Sequence, residues 1–396
     1  MCEMKTTKFK MTELGPIPLD WEVKRIIDVA PLQRGFDLPF SHLMEGVVPV
    51  VYSNGIGAYH SKGMCKGPGL VTGRSGTIGK FFYIESGDYW PHNTTLWVTD
   101  FCGNNPLFVK YLYETLDFED FSTGTGVPTL NRNSVHEHKV VIPPLAEQRR
   151  IAGALSDVDE LISALGKLIE KKRNIKTGAM QELLTGKTRL SGFKGKWEEK
   201  RLGDCGFCFN GLTGKSGSDF GHGKACYITF LNVLTNVVID SSIFEPVDIC
   251  SGENQNEVSR GDIFFNTSSE TPEEVGLCAV LEEDVKSVYL NSFCFGFRIT
   301  DNDVSGRFLA YWFRASAGRA LMTSLAQGST RYNLSKDAFR EACVCIPPTL
   351  AEQKAIATVL SDIDAEIAAL EADQAKYERI KSGMMQELLT GKTRLI

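Results

Sequence analysis

Ten consecutive residues, Gln181-Glu-Leu-Leu-Thr-Gly-Lys-Thr-Arg-Leu190, recur unchanged at Gln386–Leu395, 205 positions later. At the same offset Leu155-Ser-Asp-Val-Asp159 returns as Leu360-Ser-Asp-Ile-Asp364. Upstream, Ile142-Pro-Pro-Leu-Ala-Glu-Gln148 returns as Ile346-Pro-Pro-Thr-Leu-Ala-Glu-Gln353, with one inserted residue. An identical run of ten is not chance in a chain of 396 residues. The period is far too long for a solenoid, so the chain is a duplicated half-protein. Weaker echoes keep the same order. Trp21-Glu-Val-Lys-Arg25 matches Trp197-Glu-Glu-Lys-Arg201, and Gly124-Thr-Gly-Val-Pro-Thr-Leu130 matches Gly328-Ser-Thr-Arg-Tyr-Asn-Leu334. Between these marks the halves diverge, so each half is a variable unit followed by a near-constant segment.

The constant segments read as long helices. Apolar residues fall at Ile151, Leu155, Val158, Ile162, Leu165 and Ile169, and again at Ile356, Leu360, Ile363, Ile367 and Leu370. Alternating spacings of four and three make an a/d seam, the pattern of a helix packed on another helix. The seam turns polar at Lys172 and Lys176, and at Gln374, Tyr377 and Lys381. Such positions fix register, fray, or stay open for another subunit. Pro143-Pro144 and Pro347-Pro348 lead into the helices, and Gly186 and Gly391 fit their ends. About 40 residues at 1.5 Å each give roughly 60 Å. Matched seams favour antiparallel pairing of the two helices.

The variable units read as mixed α and β. Strands are expected at Val47–Tyr52, Phe81–Ile84, Thr95–Val98, Tyr227–Phe230, Asp262–Phe265 and Phe293–Ile299. Helices are expected at Leu107–Glu114 and Arg307–Arg314.

Composition narrows the class. There are 43 Lys and Arg against 49 Asp and Glu, a formal charge of −6. No apolar run is long enough for a membrane span, and no secretory h-region opens the chain. The eleven cysteines are expected to be free thiols in a reducing cytosol. Cys205-x-x-Cys208 lacks the second ligand pair a zinc site needs, and His136-x-His138 lies far away. Cys343 and Cys345 alternate along a strand and share one face.

Catalytic motifs fail on inspection. Gly186-Lys187-Thr188 and Gly391-Lys392-Thr393 imitate the end of a phosphate loop, but Gln181 and Gln386 occupy its first glycine, and these runs close a helix. Glu22-x-Lys24 and Glu198-x-Lys200 resemble half of a metal-dependent nuclease site, and read more simply as solvated strand faces. The remaining chemistry is a set of polar, Gly-rich loops. The first unit offers Tyr52, Asn54, Arg74, Ser75, Thr77, Asn93, Thr94, Thr125, Asn131 and Arg132. The second offers Asn210, Thr213, Lys215, Asn266, Ser268, Gln327, Ser329, Thr330, Arg331, Tyr332 and Asn333. Arg matches guanine and Asn or Gln matches adenine through paired hydrogen bonds, while hydroxyls reach phosphates.

With these features together, the chain resembles the specificity subunits of type I restriction–modification systems. The resemblance rests on two divergent domains, each closed by Ile-Pro-Pro…Ala-Glu-Gln and a helix ending Gln-Glu-Leu-Leu-Thr-Gly-Lys-Thr-Arg-Leu. Thr72-Gly-Arg-Ser-Gly-Thr-Ile-Gly-Lys80 also fits, whereas Asn266-Thr-Ser-Ser and Arg331-Tyr332 depart from the first-half pattern. It implies an α+β chain with two mixed α/β target recognition domains joined by two antiparallel coiled-coil helices. The implied segments are 1–144, 145–190, 191–349 and 350–396. It further implies a non-catalytic, cytoplasmic protein that binds double-stranded DNA at a split target, with the helices as a ruler. Two methyltransferase subunits and restriction subunits would be its partners. S-adenosylmethionine, ATP and Mg2+ would belong to those partners. The alternatives are a stand-alone DNA nuclease or methyltransferase, and a coiled-coil scaffold with no DNA role.

Charge adds one constraint. Residues 1–145 carry −2, 146–190 carry +3, 191–350 carry −5 and 351–396 carry −2. No segment is a cationic glove, so the chain should choose bases with a few loop residues. Alone it should bind DNA weakly, with a shallow salt dependence.

Overall fold

The structure, a computed structural model, describes residues 8–123, 128–328 and 330–396. The two constant segments form helices Leu145–Leu183 and Leu350–Leu388, each of 39 residues. Compact units do not follow chain order. Unit 1 combines residues 1–167 with 371–396, and unit 2 comprises residues 168–370. Each unit therefore contains the head of one long helix and the tail of the other.

Within unit 1, Asp159 meets Lys381 at 2.7 Å and Glu147 meets Arg394 at 2.7 Å, so numbers rise on one helix as they fall on the other. Within unit 2, Lys176 meets Asp364 at 2.5 Å and Arg189 meets Glu352 at 2.5 Å. The helix segments are antiparallel in both. Ile151, Leu155, Ile169, Ile356, Leu360 and Ile367 are buried, and Val158, Ile162, Leu165, Ile363 and Leu370 are half-buried, as the a/d spacing predicts. Three of the five polar seam positions, the lysines, form ion pairs. Lys172 bonds Glu366, Lys176 bonds Asp364 and Lys381 bonds Asp159. Their chains cover the seam while their ammonium groups hold carboxylates on the facing helix.

Each variable unit contains a four-stranded antiparallel sheet. In unit 1 its strands are β1 (Leu32–Arg34), β2 (Gly69–Gly73), β3 (Phe81–Ile84) and β4 (Thr95–Val98), in the order β1-β4-β2-β3. In unit 2 they are β5 (Gly206–Asn210), β6 (Ile263–Asn266), β7 (Cys278–Val280) and β8 (Cys294–Ile299), in the equivalent order β5-β8-β6-β7. Every residue of β2 and β6 is buried, because both faces of these central strands are covered. The helices Pro106–Glu114 and Gly306–Arg314 follow the last sheet strand in each unit.

The cores show the same exchange. Ile151 and Leu155 pack in one core with Leu388 and Leu389, and Ile356 and Leu360 in the other with Leu183 and Leu184. Gly186 and Gly391 have φ of 71° and 74°, a left-handed conformation that glycine adopts without strain. Both lie against the tryptophan rings of Trp197 and Trp21. Thr188 donates to Glu182 at 2.7 Å and Thr393 to Glu387 at 3.0 Å. The phosphate-loop imitation is thus a helix terminus, with its hydroxyls already bonded. Among the described residues no helix is long and apolar enough to cross a membrane.

Candidate nucleic-acid interface

Backbone hydrogen bonds align the two units residue by residue at one end of the four-stranded sheet. Thr95 N–H donates to His92 O at 2.9 Å, and Cys294 N–H to Asn291 O at 3.1 Å. Gly35 N–H donates to Thr95 O at 3.0 Å, and Gly211 N–H to Cys294 O at 3.3 Å. Arg74 N–H donates to Thr94 O at 2.8 Å, and Thr267 N–H to Phe293 O at 3.0 Å. Leu130 N–H donates to Arg74 O at 2.7 Å, and Leu334 N–H to Thr267 O at 2.9 Å. The glycines permit this closeness: a Cβ on Gly35 would lie 2.2 Å from His92 O, and one on Gly211 2.1 Å from Asn291 O. Arg34 thus corresponds to Asn210, Arg74 to Thr267, Thr94 to Phe293 and Thr129 to Asn333.

In unit 1 this end gathers most of the loop residues singled out by sequence. Arg34 Nε lies 3.4 Å and Arg74 Nη1 3.5 Å from Asn93 O. The Asn93 amide bonds Asp37. The Tyr52 ring lies 4.4 Å from the His92 ring, and His92 Nδ1 lies 3.1 Å from Thr94 Oγ1. Burial pulls the His92 imidazole below its ordinary range, and nearby Asp37 only partly offsets that. Ser75 bridges to Thr129. Asn54 and Thr77 are exposed on neighbouring turns. Asn131 instead caps the helix Arg132–Glu137 by accepting from Asn133 N–H at 3.1 Å, and Arg132 donates to Gln33 at 3.0 Å. Thr125 lies outside the described residues.

Unit 2 places its candidates differently. Ser268 and Gln327 both stand opposite Asn333, and Tyr332 opposite Ser269, in a small three-stranded sheet. Thr330 and Arg331 are exposed beside it. Asn210 is exposed and accepts from Lys336. Three candidates are held by the fold. Asn266 is fully buried, and its amide donates to Glu274 O at 3.0 Å, so it cannot reach a base. The Lys215 ammonium sits 2.6 Å from Glu253, with its side chain only 5% exposed. Thr213 bonds Gln255 through its N–H at 3.1 Å. Ser329 lies outside the described residues. Sequence reasoning missed Arg34, Thr267, Phe293 and Lys336. The offset of 176 between Trp21 and Trp197, carried forward, pairs Arg34 with Asn210 and was the available signal.

The nuclease-like runs make ion pairs on strand faces: Glu22 bonds Lys24 at 2.9 Å, and Lys200 bonds Asp301 at 2.6 Å. Among the described residues no group of three His, Cys, Asp or Glu is placed to hold a metal. His136 Nε2 accepts from Leu32 N–H at 2.9 Å, and Cys205 Sγ lies 3.4 Å from Arg201 O. Burial pushes the Cys208 thiol up to about 11. Cys343 and Cys345 are exposed and alternate with buried Val344 and Ile346.

Comparison with known proteins decides the family. The family model described as the type I restriction modification DNA specificity domain matches twice, over residues 18–174 and 194–381. The chain belongs to this family. It is a specificity subunit of the type I restriction–modification class, built from two copies of the domain. It is 24% identical to the type I restriction enzyme MjaVIII specificity subunit of Methanocaldococcus jannaschii, covering 72% of this chain and 70% of that one. It is also 24% identical to the putative MjaX specificity subunit of the same organism, over 99% and 98% of the two chains. In fold it is similar to the S subunit from M. genitalium, with a TM-score of 0.64 at 15% identity over 97% and 99% of the chains. A chain from a study of type I complex assembly and conformational transition gives a TM-score of 0.55 at 15% identity, over 95% and 99%. Membership agrees with the duplication, and places both copies of the specificity domain across the loop-bearing sheet ends.

Proposed function

We propose that each unit reads one half of a split DNA target with the loop-bearing end of its four-stranded sheet. One observation carries this reading. Framework residues are identical between the copies: Glu147 and Glu352, Gln148 and Gln353, Asp159 and Asp364, Tyr111 and Tyr311, Arg189 and Arg394. At the corresponding sheet ends the side chains differ in kind, as Arg34, Arg74, Thr94 and Thr129 against Asn210, Thr267, Phe293 and Asn333. A constant frame carrying two different polar surfaces suits two different base sequences.

The duplicated frame also suits two equivalent partners. A pseudo-twofold subunit offers the same patch twice, which supports two methyltransferase subunits bound alike, with restriction subunits added in the nuclease form. S-adenosylmethionine, ATP and Mg2+ belong to those partners, and the assembly works in the cytoplasm. The long helices set the spacing between the two halves of the target. The test is retardation of DNA duplexes by the chain assembled with its methyltransferase. A split-site duplex should be retained over a scrambled one. Product formed by the purified chain alone, given DNA, Mg2+ and S-adenosylmethionine, would support the stand-alone enzyme instead.

A further inference from the structure

Two guanidinium groups in unit 1 converge on one acceptor. Arg34 comes from the end of β1 and Arg74 from the residue after β2, and each points a nitrogen at Asn93 O, at 3.4 and 3.5 Å. Those two nitrogens are therefore no further apart than the sum of the two distances. That is within about two base-pair steps of about 3.4 Å. No salt bridge joins either arginine to a carboxylate among the described residues, and the nearby Asp37 carboxylate accepts from the Asn93 amide. Long bonds to a single carbonyl leave most of their donors unused. Two like charges held close, with no salt bridge of their own, favour an acceptor-rich ligand between them.

The strands position these groups. Backbone bonds from Arg74 N–H to Thr94 O and from Leu130 N–H to Arg74 O, 2.8 and 2.7 Å, fix the Arg74 backbone on both sides. Around them stand Tyr52, His92 and Thr94, groups that read edges as well as phosphates. A planar guanidinium held in this way matches the O6 and N7 acceptors of guanine in the major groove. At the corresponding places unit 2 has Asn210 and Thr267, neither of them cationic.

We propose that Arg34 and Arg74 form a paired guanine reader, so that the half-target read by unit 1 requires guanine at one base pair or at two adjacent ones. Unit 2 has no such reader at that place. This inference rests on the reading of the chain as a DNA specificity subunit. It assigns a specificity-determining role to Arg34, which no motif marked.

The test uses the full chain assembled with its methyltransferase and a randomised duplex pool. The wild type should enrich a two-part motif with a guanine in one part. Arg34→Ala and Arg74→Ala should each lower the preference for guanine in that part by about tenfold to hundredfold, leaving the other part unchanged. Replacing that guanine by 7-deazaguanine, which lacks N7, should weaken wild-type binding and leave the Arg→Ala proteins indifferent. The wild-type half of this arm needs no altered protein, so a folding defect cannot imitate it. Equal loss on all duplexes would make the arginines phosphate contacts and overturn the inference. A motif without guanine in either part, or one unchanged by both variants, would do the same. A wild-type complex that enriches nothing would instead defeat the specificity reading beneath it.

Discussion

Glu147, in the first turn of the first long helix, accepts two hydrogen bonds of 2.7 Å from Arg394, beyond the end of the second. Trp21 donates to the same carboxylate at 2.9 Å, and Asp20 accepts at 2.7 Å from Arg394 Nη2, which also bonds Glu147. The duplicate arrangement pairs Arg189 with Glu352, at 2.5 and 2.6 Å. Head of one copy holds tail of the other, twice. Each clamp lies within one unit, so the repeat supplies both units with the same head-to-tail contact.

Arg394→Ala leaves Glu147, whose side chain is 5% exposed, without its counter-charge. Loss of one partner from a buried pair should cost about 3–5 kcal/mol, read by urea denaturation. Arg394→Lys should recover little, because one ammonium cannot reproduce the two-pronged contact. A cost within the range of surface pairs, under about 1 kcal/mol, would show that the clamp does not hold the unit together.

Asp159 gives the fold an acid-sensitive point. Burial pushes its carboxyl up, but hydrogen bonds from Lys381 and Tyr111 outweigh that and hold it below its ordinary value. A depressed folded value stabilises the fold above the unfolded value, near pH 3.9, and that stabilisation is lost as pH falls through the folded value. Asp159→Asn should therefore lower stability at pH 7 and flatten its decline below about pH 4. Parallel denaturation curves for both proteins across that range would contradict the assignment.

Leu155 and Leu360 occupy equivalent seam positions and are each fully buried. Leu155→Ala and Leu360→Ala should each cost about 2–5 kcal/mol, and by similar amounts, because the duplication gives them like surroundings. Calorimetry of both variants checks this. A negligible cost at one site would mean that the two seams are not equivalent.

Inserting four residues, about one helical turn, after Ile169 and after Gln374 should lengthen the gap between the two parts of the recognised target. Neither part should change its sequence. Motif mapping with the altered chain reads both properties. An unchanged gap would remove the ruler role, and altered half-sequences would mean that the helices touch the bases.

Much of this architecture is legible in the sequence because helix seams and strands repeat with short periods. The a/d spacing located both helices, and strands such as Phe81–Ile84 and Thr95–Val98 stand where their β-branched and aromatic runs place them. The exchange of tails follows from antiparallel pairing, because a straight helix of 39 residues cannot bring Arg189 back to Glu147. The residues that make the exchange, Arg189 and Arg394, were not legible. Lys172 and Lys176 were ambiguous because the carboxylates they hold lie on the facing helix.

The candidate site was partly legible. Polar loops marked Arg74, Asn93 and Thr94, but composition does not distinguish a loop residue from the end of a fully covered strand. Asn266 ends β6 and points into the core for that reason. Arg34 was hidden at a strand end, where a single charged residue looks like solvent-facing polarity. The tryptophan offset pairs it with Asn210, and the backbone bonds shared by the two units place both at the same sheet end.

Sequencing modified bases in DNA from cells carrying this chain with its methyltransferase reads whether one duplicated frame carries two independent base readers. A two-part motif with an unspecified gap is expected, absent from cells given the methyltransferase alone. A single continuous motif, or the same modification without this chain, would rule out two readers on one frame.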